Sequence, residues 1–232
     1  MKKVFYIMFF TSLTFFSLSA KADNELEQEC LKYVPKPTVS ISTSYGDLQY
    51  DHSKSRRQLT RLHLNMYKSR KLGGNLLNGL STFEHAININ AKIRKETIPT
   101  GITCVYPKEV NLHFGAGENP IIYIARDYEK GTCMYNVVLR HEQTHQQINQ
   151  SVLEYYLPEV QDKFIDVVKN NVIASRSYNI NITTAQEELQ KRYLEVLNPI
   201  LEDVKTKTEA EQAKLDSDEN YDYEASICQN KD

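Results

Sequence analysis

The chain lacks several features that would each indicate a class of function. Its 28 Lys and Arg are balanced by 30 Asp and Glu in 232 residues, and this slight negative balance disfavours nucleic-acid binding. No apolar segment after residue 22 is long enough to be a membrane helix. No two of the four cysteines are closely spaced, so a cysteine-ligated zinc site is not expected.

The first 22 residues, by contrast, have the pattern of a secretory signal peptide. Two lysines form a charged start, residues 4–16 are almost wholly apolar, and Ala20 and Ala22 are small residues that suit signal peptidase. The apolar run is short for a bilayer span, which makes a retained membrane anchor the weaker interpretation. We predict a periplasmic or secreted protein, cleaved after Ala22 or Ala20, whose residues 23–232 form a single domain.

The cysteines at 30, 104, 133 and 228 predict two disulfides, because an even number in an exported chain is typical of paired cysteines. Three connectivities are possible. We favour Cys104–Cys133, which would tie the strand region to the start of a long helix, and Cys30–Cys228, which would tie the two termini.

The chain changes character near residue 131, since no glycine follows Gly131. Short alternating or β-prone runs come before this point, at Thr38–Thr43, Leu48–Tyr50, Ala86–Ile93, Val110–Phe114 and Ile121–Ala125. Apolar residues at helical spacing dominate after it. We predict an α+β fold, with a small antiparallel sheet in residues 23–131 and long helices in residues 132–232.

The helical part is predicted to form a hairpin of two long helices. Pro158 need not end the first helix, because proline is tolerated as a kink or in the first turn of a renewed helix. The polar stretch Asn170–Asn181 is the expected reversal. Thr184–Glu187 has the pattern of a capping box for the second helix.

The segment His141-Glu142-Gln143-Thr144-His145 on the first of these helices has the form H-E-x-x-H. Residues four apart lie about one turn apart on the same helix face, so both imidazoles can reach one metal ion. Glu142 between them can serve as a general base toward a metal-bound water. The alternative interpretation is a helix that carries two histidines and a glutamate by chance.

A catalytic zinc needs a third protein ligand, and no histidine follows His145. This absence excludes the metzincin pattern and makes Asp or Glu the expected downstream ligand. If the hairpin bends near residue 178, His145 lies opposite about residue 211 and the segment Glu209–Glu224 lies beside it. Asp216 or Glu219 is the predicted third ligand, although the pair also fits a capping box. Histidines upstream are expected to be ordinary: His52, His63, His85 and His113.

The motif and its surroundings resemble a family of bacterial predicted secreted zinc-dependent proteases, catalogued as a domain of unknown function. The residues that carry the resemblance are Cys133-x-Tyr135-x-x-Val138-x-x-His141-Glu142-x-x-His145, following Ile122-Tyr123-Ile124-Ala125-Arg126. It covers roughly Thr103–Val152, with a fainter likeness around Leu215–Glu224. The resemblance implies a zincin-like fold and a zinc peptidase. The family has a histidine–glycine pair in its tail, whereas this chain has Tyr221 near that position and no glycine.

Three functional hypotheses follow. The first is an exported zinc metallopeptidase acting on peptides or proteins, with the strand Ile121–Ala125 as the edge along which a substrate pairs. The second is a catalytically silent binding or scaffold protein with a zincin-like fold. The third is a hydrolase of peptidoglycan cross-links, suggested by basic residues that are otherwise interpreted as a solvated surface: Lys54, Arg56, Arg57, Arg61, Lys68, Arg70 and Lys71. No nucleic-acid partner is expected, and the oligomeric state is left open.

Overall fold

The structure is a computed structural model that describes residues 14–66 and 76–229, with side chains from residue 24 onward. Within these residues there are five helices, α1 (Thr14–Tyr33), α2 (Arg56–Met66), α3 (Cys133–Asn170), α4 (Ile182–Leu215) and α5 (Asp218–Gln229). The same residues form seven strands, β1 (Thr38–Ser42), β2 (Gln49–Asp51), β3 (Gly79–Thr82), β4 (His85–Thr97), β5 (Thr103–Ala116), β6 (Ile121–Ile124) and β7 (Ile173–Ser175). The predicted α+β class is confirmed.

The predicted single antiparallel sheet is wrong in detail, because the strands form two sheets. The first has the order β1-β5-β4, and β7 also pairs with β5. The second has the order β2-β6-β3, in which β2 pairs parallel to β6 and β3 pairs antiparallel to it. The parallel pair joins residues 72 positions apart in the chain, such as Gln49 and Ile121. Local alternation along the chain could not indicate such a distant pairing.

The strand β6 is central in the second sheet, which contradicts the prediction that it is an edge for a substrate. Gln49–Asp51 pairs with one side of it and Gly79–Thr82 pairs with the other. Its apolar residues Ile122 and Ile124 are buried and pack against Val138 of α3. A short, fully apolar run is typical of a strand that is covered on both edges and one face.

The chain groups into two compact units, each assembled from separate segments. Unit 1 comprises residues up to Val39, Ala91–Val110 and Asp166–Tyr193. One buried cluster of its core comprises Cys30, Ile98, Ile102, Cys104, Tyr106 and Val172. The short strand β7 pairs there with Thr103–Val105.

Unit 2 comprises Ser40–Asn90, Asn111–Ile165 and the chain from Leu194 onward. It holds the whole second sheet, helices α2 and α5, the first part of α3 and the last part of α4. All residues of the H-E-x-x-H segment belong to this unit. The predicted division at residue 131 separates most strands from most helices, with α1, α2 and β7 as exceptions.

The two predicted disulfides are present, but their predicted connectivity is wrong. Cys30 pairs with Cys104 and Cys133 pairs with Cys228. Each bridge lies inside one unit, because Cys30 and Cys104 share the core of unit 1 while Cys133 and Cys228 belong to unit 2. Two disulfides indicate a protein of the periplasm or the extracellular space, where thiols oxidise. Among the described residues, no helix is both long enough and apolar enough to cross a membrane.

The long helices follow the predicted hairpin. Pro158 lies inside α3, and the predicted reversal at Asn170–Asn181 coincides with the end of α3 and the start of α4. The predicted capping box at Thr184–Glu187 is displaced, because the side-chain oxygen of Asn181 accepts the N–H groups of Thr183 and Thr184. Asparagine serves equally well as a helix cap, and here it begins the helix one turn earlier.

Part of the predicted signal peptide, residues 1–13, lies outside the described residues. Residues 14–22 belong to α1, which continues to Tyr33. The predicted cleavage positions after Ala20 and Ala22 therefore fall within this helix.

Candidate metal centre

The H-E-x-x-H residues lie on the buried face of α3. His141 and Glu142 are buried, and the apolar residues Val138 and Val152 on the same face are buried as well. The spacing of these positions follows the helical period, which is why the imidazoles face the interior of unit 2 rather than solvent.

Helix α4 returns along α3 at the predicted register. The side chain of Gln212 contacts His145, and its Nε2 donates to the His145 carbonyl oxygen at 3.2 Å. The hairpin geometry had predicted residue 211 at this position, so the register prediction is confirmed within one residue. The end of α4 consequently brings Asp216 to the histidines.

Three potential ligand atoms converge at this point. Asp216 Oδ1 lies 3.3 Å from His141 Nε2 and 3.2 Å from His145 Nε2, and the two Nε2 atoms are 3.1 Å apart. A tetrahedral zinc ion with bonds of about 2.0–2.1 Å holds its ligand atoms about 3.3 Å from one another. The triangle formed by His141, His145 and Asp216 therefore has the dimensions of one face of a zinc tetrahedron.

The outward ring nitrogens of both histidines meet acceptor oxygens. His141 Nδ1 lies 3.0 Å from Glu224 Oε2, and His145 Nδ1 contacts Gln212 Oε1. Gln212 presents this oxygen because its Nε2 is directed to the His145 carbonyl and to Asn149 Oδ1. Both Nδ1 atoms must then carry hydrogen, which leaves both Nε2 atoms of the neutral rings as lone-pair donors toward one point.

The ionisable groups of the triangle shift one another's pKa values. Burial opposes protonation of the histidines, yet the carboxylates of Asp216 and Glu224 raise the pKa of His141. Asp216 and Glu142 likewise raise the pKa of His145 against its burial. Burial alone would raise the pKa of Asp216, but hydrogen bonds that both histidines donate when they are protonated lower it well below its ordinary value. A cluster that attracts protons in this way also attracts a metal cation.

Glu142 lies beside the triangle and beneath strand β3. The backbone N–H of Ser81 donates to its carboxylate, and burial raises its pKa to about 8. A Cβ atom on Gly79 would lie only 2.4 Å from Glu142 Oε1. Glycine at this position therefore makes the space in which the carboxylate sits.

Tyr221 covers the triangle from α5. Its ring stacks on the His141 ring with centroids 5.2 Å apart, and its hydroxyl donates to Asp216 Oδ1 at 2.9 Å. Loss of solvent around its hydroxyl and the charge of Asp216 raise the pKa of Tyr221, although the residue as a whole is exposed, so the phenol stays protonated and remains a donor. Of the three triangle residues, Asp216 has the most exposed side chain, at 39%, and the centre opens to solvent on its side.

Only one of the two predicted third ligands joins the histidines. Asp216 does so, whereas Glu219 is exposed and lies outside the group. The predicted capping box at these two residues is wrong, because the cap of α5 is Ser217, whose hydroxyl accepts the N–H of Asn220. Asp216 is thereby left to face the site.

The remaining histidines have other contacts. His52 and His113 bond to the carbonyl oxygens of Tyr128 and Ala116, and His85 packs edge-on against Phe83. His63 lies on α2.

Two of the basic residues that suggest an acidic polymer as substrate, Lys54 and Arg56, make local contacts. Lys54 bonds to Asp51, and the Arg56 side chain donates to the Leu76 carbonyl oxygen at 3.1 Å. Lys68, Arg70 and Lys71 lie outside the described residues.

Three residues of the centre were not predicted from the sequence. Glu224 and Gln212 carry no motif, since their roles depend on where two later helices meet α3. Gly79 has a recognisable signal, because glycine inside a β-prone run often marks a close approach. Its partner in that approach is 63 positions away in the chain and is not visible in the sequence.

Comparison with known proteins returned no match of any kind: no protein-family model, no curated protein and no solved structure is similar to this chain.

Proposed function

We propose that the protein is an exported zinc-dependent metallopeptidase whose zinc is held by His141, His145 and Asp216. The observation that carries the proposal is the triangle of ligand atoms with edges of 3.1 to 3.3 Å. Two imidazoles and one carboxylate form a ligand set that zinc accepts in hydrolytic enzymes, with the fourth position open. When bound, zinc polarises a carbonyl group and lowers the pKa of a bound water to about 7.

The protein groups around this position have complementary roles. Glu142 has no access to the triangle as a ligand, since it points beneath β3, and it is proposed to take a proton from the attacking water and return it to the leaving amine. Tyr221 keeps its proton and can donate a hydrogen bond to the oxyanion that forms on the scissile carbonyl.

Two sequence features support an exported peptidase. The N-terminal 22 residues have the signal-peptide pattern, and the H-E-x-x-H segment places two histidines and a glutamate where a metal-dependent hydrolase needs them. The proposed substrate is a peptide or protein chain.

The test combines metal content with cleavage. The purified protein is expected to contain one zinc by elemental analysis and to cleave denatured casein. Glu142→Gln is expected to keep the zinc and to lose cleavage by at least about a hundredfold, because a general base contributes about 10²–10⁴-fold. Protein that neither contains zinc nor takes it up would overturn the proposal.

A second candidate is an exported metal-binding protein without catalysis. The observation in its favour is the burial of Glu142 under Gly79 and Ser81, which restricts the approach of water to the carboxylate. This candidate predicts bound zinc together with no cleavage by the wild-type protein. Zinc content and cleavage measured on one preparation distinguish the two.

A further inference from the structure

We infer that Glu224 is a positioning residue for His141, and that the Cys133–Cys228 disulfide keeps Glu224 in place. The inference rests on the proposed metal site and concerns how that site is supported. It assigns to α5 a role in metal affinity that the H-E-x-x-H motif does not include.

The contact between Glu224 and His141 has the geometry of an outer support for a metal ligand. Glu224 Oε2 lies 3.0 Å from His141 Nδ1, and its side chain is only 13% exposed. A carboxylate at this position fixes the ring orientation and the tautomer, and it makes the opposite nitrogen more basic toward a metal. His141 Nε2 is directed into the triangle as a result.

The helix that carries Glu224 has little packing of its own. None of the twelve residues of α5, all of them described, is buried. Its contacts with the site are made by Tyr221 and Glu224, and its far end is bonded covalently through Cys228 to Cys133 at the first residue of α3. A helix without buried residues contributes little hydrophobic stabilisation, so the disulfide is the strongest restraint on its position.

The two histidines are consequently supported in different ways. His145 is held by Gln212, which belongs to the long helix α4 and also contacts Asn149. His141 is held by Glu224 on the tethered helix α5. Loss of the tether is therefore expected to release the support of His141 while the support of His145 remains.

The experiment measures the zinc dissociation constant by competition with a chelator. Glu224→Ala is expected to weaken zinc binding by about 10- to 100-fold, the usual effect of removing an outer support. Glu224→Gln keeps an acceptor oxygen and is expected to lie between Glu224→Ala and wild type. The double variant Cys133→Ser/Cys228→Ser is expected to weaken binding by a similar factor, and Cys30→Ser/Cys104→Ser is the matched control that leaves it unchanged.

A combination of variants tests whether the disulfide acts through Glu224. If it does, adding Glu224→Ala to Cys133→Ser/Cys228→Ser produces no further loss of zinc affinity. Additive losses would overturn that link, and an unchanged dissociation constant in Glu224→Ala would overturn the positioning role by itself, even if the cysteine variant does not fold. Thermal unfolding of the metal-free proteins distinguishes positioning from a purely structural role. If Glu224 were only structural, Glu224→Ala would lower the unfolding midpoint temperature without changing zinc affinity. Wild-type protein that binds no zinc would instead contradict the proposed function.

Discussion

Each unit of the molecule contains a cluster of polar side chains, and the two clusters differ in what they need. In unit 1, the Arg192 guanidinium donates to both carboxylate oxygens of Glu27 at 3.0 and 3.1 Å and to Glu188 at 3.2 Å. In unit 2, the Nε2 atoms of His141 and His145 and a carboxylate oxygen of Asp216 face one another. The first cluster matches donors with acceptors, whereas the second brings acceptors together.

This difference indicates which cluster is structural and which is the candidate site. Arg192 has charge-assisted partners that satisfy it within the protein. In unit 2, Tyr221 donates to Asp216, but the two facing Nε2 atoms of neutral histidines offer only lone pairs to the triangle, and a proton or a metal cation would satisfy them. A cluster that cannot be satisfied by its own members is where a ligand is expected.

The disulfides show the same contrast. Cys30 and Cys104 are fully buried in the core of unit 1. Cys133 and Cys228 are only partly buried and connect α3 to a helix without buried residues. The first bridge reinforces a core, and the second restrains an element of the candidate site.

The largest expected effect is on metal affinity, through Asp216. Asp216→Ala removes one of three proposed ligands, so the zinc dissociation constant is expected to rise by more than the roughly 10- to 100-fold associated with an outer support. Glu219→Ala is the control, because this exposed acid lies three residues further on and outside the triangle. Equal zinc affinity in both variants, by chelator competition, would mean that the triangle does not hold the metal.

A smaller effect, on stability and cleavage together, is expected for Gly79→Ala. The added methyl group collides with the Glu142 carboxylate, and overpacking of this kind costs about 1–3 kcal/mol in the free energy of unfolding. Zinc is expected to stay bound while cleavage falls, since Glu142 is displaced and the ligands are not.

The collision itself can be isolated with Glu142→Ala, which removes the obstructing side chain. In that background, Gly79→Ala is expected to have almost no effect on denaturant unfolding. A persistent loss of stability would show that Gly79 is required for a reason other than Glu142.

The smallest effect is expected in unit 1. Arg192→Ala removes the bidentate hydrogen-bond partner of Glu27. Because these charged hydrogen bonds are partly exposed, their loss is expected to cost about 1–2 kcal/mol in the free energy of unfolding. Zinc affinity is expected to be unchanged. Lys32→Ala is the control, because its pair with Glu29 is exposed and contributes no measurable stability. An altered zinc affinity in Arg192→Ala would contradict the separation of a structural cluster from a site.

Periodic patterns in the sequence predicted the elements with good accuracy. The alternation in residues 86–93 lies within β4, and the helical period around His141 lies within α3. The polar reversal at 170–181 and the hairpin register at Gln212 were also correct, because both follow from the rise per residue along a helix.

Features that join distant segments were predicted poorly. Both disulfide pairings were wrong, since four cysteines allow three connectivities and local pattern does not choose among them. The edge assignment of β6 was wrong, because an apolar run indicates that a strand is buried but does not indicate which strands pair with it. Local alternatives also compete closely: Asn181 rather than Thr184 caps α4, and Ser217 rather than Asp216 caps α5.

The sequence by itself determined two histidines one turn apart on one helix face with a glutamate between them, and it predicted an acidic residue as their partner, because helical spacing and the absence of later histidines leave few alternatives. Only the tertiary structure brings Asp216 to both Nε2 atoms and places Glu224 and Gln212 against the two rings. The physical reason is that a ligand's position depends on where separate helices meet. The relative positions of α3, α4 and α5 depend on packing between residues more than eighty positions apart in the chain. No local sequence pattern indicates these positions.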